Sequence, residues 1–353
     1  MADRLVVDLA ERLFRDHEDA PGLRPAAPLS EALWAAFLDS GLAMLLTDQA
    51  EPGVAEAVAV ARCAGYRAVR APIVEALLGS WADQWSGVEN GAGLTIVLVK
   101  FSPGATCVPD DGRQHADINR RVPWARWAGG LLVVPAPQPH NATNPAVIGA
   151  LYRQLAGAEV IAGCNLADEP RDDVRFVVGA AKPIELESSQ CDRTIALGAL
   201  LTAARMAGAA ARVLEMANEH AIARVQFGRP IAAFQAVQQM LAQLAAQVAA
   251  VGAAVDFATG AMAARPSDAL LLAAVAKARA SEAAGLITEL AHQITGAIGF
   301  TREHALHRHT RILWAARDEW GSERYWHHYI GQKALQVDGK LWRFATSLGS
   351  GSA

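Results

Sequence analysis

The sequence has no run of about eighteen uninterrupted apolar residues, the length a membrane-crossing helix needs, and its opening Met1-Ala2-Asp3-Arg4 lacks the segments of a secretory leader. A cytoplasmic protein with no membrane partner is therefore expected. Concentrated positive charge is also missing. Lys and Arg number 32 against 36 Asp and Glu, a formal charge of −4, so no basic field is available for nucleic acid or an anionic membrane surface. Cysteine is sparse: Cys63, Cys107, Cys164 and Cys191 lie far apart and show neither metal-ligand spacing nor a C-x-x-C redox pair, so no metal site is expected. What is present is apolar bulk, 52% of 353 residues, enough for two or three structural units sharing a large core and binding a small molecule.

Periodicity divides the chain in three. Over 1–89, apolar residues recur at helical spacing (Leu5, Val6, Leu9, Leu13 and Phe14, then Leu33, Phe37, Leu42 and Met44), and Ser30 after Pro28 predicts a capped helix start. Over 90–191, Val-, Ile- and Leu-rich runs at Leu94–Val99, Leu131–Val134 and Val174–Val178 alternate with turn residues and predict strands of a small, shortened β-domain. Over 192–353 the chain is Ala-rich, with helices expected near 193–225, 233–264, 267–297 and 303–330 and breaks at Gly228-Arg229-Pro230, Pro266 and Gly296 to Gly299. Helices of about thirty residues run about 45 Å, and short connections between them imply an antiparallel four-helix bundle. The expected fold class is α+β, mostly α: a helical domain, a β-domain and a bundle. Ala-rich faces suit close helix approach, either inside a monomer or between subunits.

Two stretches of the bundle could carry chemistry. In Arg224-Val225-Gln226-Phe227-Gly228-Arg229-Pro230, followed by Phe234-Gln235, an arginine, two glutamines and aromatic rings gather at one helix-to-helix corner. Such a corner can bind an anion beside a planar ring, or it can be a capped turn with solvated polar residues. In Gln293-Ile294-Thr295-Gly296-Ala297-Ile298-Gly299-Phe300, glycines at a helix end let backbone approach a ligand while Gln293 offers an amide.

Both stretches resemble motifs of the acyl-CoA dehydrogenase family, in the short, divergent form found in bacteria. The first matches its arginine-x-glutamine-phenylalanine-glycine-arginine-proline run with the trailing phenylalanine-glutamine. The second matches its glutamine-x-x-glycine-glycine-x-glycine run, with Ala297 in place of one glycine. The resemblance implies FAD as cofactor, held across a subunit interface by Arg224, Gln226, Phe227 and Gln235, with Gln293, Gly296 and Ala297 at its adenosine end. It implies an acyl-CoA substrate oxidised to the 2,3-unsaturated thioester, an electron-transfer flavoprotein as acceptor, and a homo- or hetero-oligomer, dimer or tetramer. Arg121-Val122-Pro123-Trp124-Ala125 and Asn165-Leu166-Ala167-Asp168-Glu169-Pro170-Arg171 are similar to segments of the same bacterial proteins. Trp124 there has two readings, a ring against the flavin or a buried strand-edge side chain.

The family base is a glutamate whose burial raises its proton affinity for abstraction next to the thioester. Of its two known positions, one falls on Trp320, before Gly321-Ser322, and the other on Gly198. Neither can take a proton. Glu319, one residue away, is the candidate base, against a plain role in surface ion pairs with Arg317 or Arg324. A segment that helps hold flavin and substrate in the family has no recognisable counterpart between Trp81 and Cys107. The resemblance thus leaves two functions open, a FAD-dependent acyl-CoA dehydrogenase and a non-catalytic subunit that completes the flavin site of a longer, competent chain; a third reading is an α-helical binding module without flavin.

Overall fold

A computed structural model describes residues 2–18, 29–47, 53–86, 94–100, 117–136, 147–176, 182–264 and 266–336, with 342, 344 and 346. Pro28, Cys107, Val177, Val178 and the expected boundary at 89/90 lie outside the described residues. Among the described residues four α-helices open the chain: α1 (Arg4–Asp16), α2 (Glu31–Asp39), α3 (Val54–Tyr66) and α4 (Ile73–Ser86). Ser30 caps α2 as expected, its hydroxyl accepting from the Leu33 amide at 3.3 Å and satisfying one orphan donor of the first turn.

Among the described residues the β-unit holds seven strands in two sheets. β1 (Leu94–Lys100), β3 (Ala128–Pro135), β4 (Val147–Gln154) and β7 (Lys182–Glu187) form one sheet in the order β1-β3-β4-β7, whose first pair is parallel and the others antiparallel. β2 (Asp117–Pro123), β6 (Arg171–Phe176) and β5 (Glu159–Ile161) form an antiparallel sheet in the order β2-β6-β5. The runs at 94–99, 131–134 and 174–176 are strands, as their composition predicts.

The bundle is α5 (Ser188–Ala223), α6 (Gln235–Ala264), α7 (Ala269–Thr295), α8 (Leu306–Arg317) and α9 (Glu323–Leu335). α5 starts at Ser188 rather than near 193, because Gln190 folds back to accept the Glu187 amide at 3.1 Å and closes the helix start early. α5 is the hub: it packs on α3, α4, α6, α7 and α8 and is buried along most of its length. The helix expected over 303–330 is broken in two. Trp320 (φ 52°) and Gly321 (φ 92°) both take left-handed backbone, which reverses the chain between α8 and α9. Buried Lys277 of α7 fixes this turn, its ammonium donating to Ser281 Oγ (2.8 Å), Arg317 O (2.9 Å) and Gly321 O (3.1 Å). Three acceptors match the three N–H bonds of an ammonium. Burial pulls this amine down to about 7.

α5 and the 235–262 part of α6 are each long and apolar enough, by length and composition, to cross a membrane. α5 spends that surface on the core, with its most apolar stretch 94% buried, whereas the equivalent stretch of α6 is only 17% buried. α6 therefore leaves an Ala-rich face uncovered.

Candidate functional site

The Arg224–Pro230 stretch folds into a small hairpin, β8 (Val225–Gln226) against β9 (Arg229–Pro230), at the end of α5. Its two turn residues, Phe227 (φ 52°) and Gly228 (φ 79°), are both left-handed, as the twist of a two-residue hairpin demands. Left-handed backbone is cheap for glycine and costly for a bulky ring. Phe227 is nevertheless held at the tip, 92% exposed. Phe234 packs edge-on against it at 6.1 Å with the Arg229 guanidinium 4.4 Å over its face, and the Ile231 amide closes the loop on Arg224 O at 2.8 Å. Arg224, Gln226 and Gln235 are all exposed.

The second motif lies at the same end of the bundle. α6 is joined by turns to both α5 and α7, so α5 and α7 run parallel and finish together. His220, one turn before the hairpin, meets His304, just beyond the second motif, edge-to-face at 6.3 Å. His220 is pushed below its ordinary value by burial and by Arg224. Gln293, Gly296 and Ala297 are exposed beside them, and Gly296 (φ 63°) has open space where a Cβ would stand. Seven exposed residues from two distant stretches thus share one corner.

The two expected base positions touch each other. A Cβ built on Gly198 would lie 2.1 Å from Trp320 Cε3 and 2.3 Å from Cδ2 and Cζ3, so the indole occupies the space any side chain at 198 would need. Trp326 Nε1 and Lys277 hold the turn that presents it, the first donating to Trp320 O at 2.9 Å. No carboxylate can share that volume without moving the ring.

Glu319 points elsewhere, into a largely buried ionic cluster. Its Oε1 accepts from Arg171 Nε (2.8 Å) and Asn165 Nδ2 (3.1 Å) and sits 2.6 Å from Arg171 Nη2. Arg171 also faces Glu169 (3.5 Å) and Glu75 (3.8 Å), and Glu169 is paired with Arg205 of α5. Burial raises the proton affinity of Glu169, but Arg205 and Arg171 outweigh it and hold this carboxyl well below its ordinary range. The cluster ties α4, the Asn165–Arg171 segment, α5 and the α8–α9 turn together. The surface pairs expected for Glu319 with Arg317 or Arg324 do not form; Arg317 pairs with Glu323 at 2.7 Å instead.

Trp124 follows its core alternative. Its ring is 1% exposed and packs edge-on against Trp127 at 5.6 Å, so it presents no open face to a ligand.

Residues 190–324 match the family model for the acyl-CoA dehydrogenase C-terminal domain. Over 109 residues the chain is 41% identical to acyl-CoA dehydrogenase IpdE2 of Mycobacterium tuberculosis, a segment covering 31% of this chain and 32% of that relative. It is also 41% identical over 104 residues to the 3-sulfinopropanoyl-CoA desulfinase of Paraburkholderia xenovorans, covering 30% and 26%. The matched segments thus span about a third or less of these relatives. The whole fold is similar to the ChsE4-ChsE5 complex from M. tuberculosis (TM-score 0.77, 20% identity, 96% of this chain and 98% of the other). It is also similar to butyryl-CoA dehydrogenase from Megasphaera elsdenii (TM-score 0.75, 18% identity, 94% and 97%). The bundle is therefore an acyl-CoA dehydrogenase C-terminal domain, and the whole chain shares that family's fold.

Within that family frame, one carboxylate escaped notice in the sequence. Glu75 of α4 lines a cleft of about 330 Å³ with Val97, Leu98, Arg171, Glu319 and Trp320. Its side chain is 11% exposed. Burial pushes it up to about 7 against the opposing pull of Arg171. The only sequence signal was a lone acid on the apolar face of a short helix. Because the folded value lies above the unfolded 4.5, the folded chain binds this proton more tightly, and stability falls as pH rises from 4.5 through 7. Glu75→Gln is expected to match the wild type near pH 4.5 and to be about 2 kcal/mol more stable at pH 8, read by chemical denaturation at both values. Equal stability of the two proteins at pH 8 would contradict this assignment.

Proposed function

We propose that this chain is the non-catalytic member of a two-chain acyl-CoA dehydrogenase, lending its hairpin and the end of α7 to the FAD site of a partner that carries the base. The contact between Trp320 and Gly198 carries this reading, because it fills the space of either family base with an indole. Glu319, the remaining candidate, has its Oε1 engaged by Arg171 and Asn165.

The exposed corner suits a flavin nucleotide. Arg224 can pair with pyrophosphate, Gln226 and Gln235 can bond ring edges, Phe227 offers a flat apolar face, and Gln293 with Gly296 and Ala297 leaves room for adenosine. Bound FAD supplies the hydride acceptor for 2,3-desaturation of a CoA thioester; this chain's residues bind and orient it. The uncovered face of α6 favours a dimer or tetramer in which the corner is closed by another chain. In the intact assembly, electrons pass to an electron-transfer flavoprotein.

The test is spectroscopic. The purified chain, mixed anaerobically with FAD and short, branched or bulky acyl-CoA thioesters, should show no flavin bleaching. Stoichiometric bleaching by the chain alone would refute the reading. A second reading, a dehydrogenase in its own right, is favoured by Glu75, a buried carboxyl of raised proton affinity beside Trp320. In that case bleaching occurs and Glu75→Gln abolishes it.

A further inference from the structure

We infer that the cleft beside Trp320 binds a small free carboxylate with an apolar body, a ligand distinct from the flavin and the thioester assigned to the hairpin corner and its partner chain. The cleft, about 330 Å³, opens where the start of α4, β1, the end of β2 and the α8–α9 turn meet. Glu75 stands at its wall with a side chain 11% exposed. Among the described residues this carboxyl makes no hydrogen bond, and its one ion-pair contact is Arg171 at 3.8 Å. Buried polar groups nearly always find a partner, so a carboxyl left unbonded against a cleft invites one from a ligand.

The opposite rim is basic by construction. Successive strand residues face opposite sides, yet Arg120 and Arg121 both line the cleft, because the pairing of β2 with β6 shifts register between Asn119 and Val122. Arg121 takes left-handed backbone (φ 56°), its amide held by Asp173 Oδ1 at 2.9 Å. Such backbone is costly for any residue but glycine and concentrates at ligand clamps. Neither guanidinium has a side-chain partner among the described residues. Arg171 and Glu319 are spent on each other, which leaves Arg120 and Arg121 against Asp318. One positive charge is therefore in excess whenever Glu75 carries its proton. Burial pushes Glu75 up to about 7; Arg171 and Arg205 pull it down, and Glu319 and Glu169 add to the rise. A protonated carboxyl donates the hydrogen bond that a carboxylate oxygen accepts, and arginines neutralise the ligand's charge. Val97, Leu98, Pro123 and the indole of Trp320 cover its apolar body.

The experiment is calorimetric titration of the full chain with benzoate, butanoate and the uncharged benzamide. No flavin or thioester is present, so failure here leaves the reading of the hairpin corner standing. Both acids should bind at pH 6, and benzamide about tenfold more weakly or not at all. Because the bound form needs Glu75 protonated, affinity should fall about tenfold between pH 6 and pH 8. Glu75→Gln, whose amide donates the same bond without titrating, should bind equally at both values. Arg120→Ser and Arg121→Asn should each lose about tenfold, asparagine being a residue that tolerates left-handed backbone. No heat from either acid at pH 6, equal wild-type affinity at pH 6 and pH 8, or benzamide matching benzoate would overturn the site. Arg120 is exposed, so its variant tests the idea even if Arg121→Asn fails to fold.

Discussion

Arg171→Leu should destabilise the protein by about 3 to 5 kcal/mol, the largest effect expected of any single polar substitution here. Its guanidinium is 3% exposed and faces Glu319, Glu169 and Glu75 at once. Removing it leaves one cation, Arg205, against three acids in a largely buried cluster, and an uncompensated buried charge costs far more than the pair contributed. Glu319→Gln alone should cost much less, since Arg171 keeps two carboxylates, and combining it with Arg171→Leu should recover part of the loss through their coupling. Denaturant unfolding of the four proteins of this cycle reads the coupling directly. Strict additivity would mean that Glu319 is not held by Arg171.

Gly208→Ala should cost about 3 kcal/mol for a different reason, because here two backbones touch. A Cβ at Gly208 would come within 1.9 Å of Arg62 O on α3, and one at Gly65 of α3 within 1.9 Å of Arg205 O on α5. Neither contact can be relieved by rotating a side chain. Gly65→Ala should therefore match Gly208→Ala, and the double variant should cost less than their sum, since one separation of the helix pair accommodates both methyl groups. A loss below about 0.5 kcal/mol in either single variant would show that α3 and α5 do not approach this closely.

Much of this architecture was legible in the sequence, and the parts that were not share a physical cause. Helix and strand periods reported local burial, so α2 with its Ser30 cap, the cores of β1, β3 and β6, and the three long helices α5, α6 and α7 followed directly. The break between α8 and α9 was missed although Gly321-Ser322 marked it, because helical spacing of apolar residues continues across the turn. The hairpin residues were visible as a motif, but the left-handed backbone of Phe227 was not. Trp320 and Gly198 were each recognisable as unable to act as a base; only the fold brings the ring of one onto the Cα of the other. Arg205, Glu75 and Lys277 gave no signal beyond being charged residues in apolar helices. Their partners come from segments remote in sequence. The Asn165–Arg171 stretch was noted for its resemblance, and its structural meaning emerged only with Glu319 seated against it.

The central claim, that this chain supplies half of a flavin site and no base, is tested most directly by the flavin content of the assembly formed by co-expression with a longer acyl-CoA dehydrogenase-family chain. The measurement is the ratio of flavin to protein absorbance in the co-purified complex, with Arg224→Ala introduced in this chain alone. The account predicts a yellow complex from the wild-type pair and loss of flavin from the variant, with both chains still co-purifying. Full flavin retention in the Arg224→Ala complex, or a colourless wild-type complex, would contradict it.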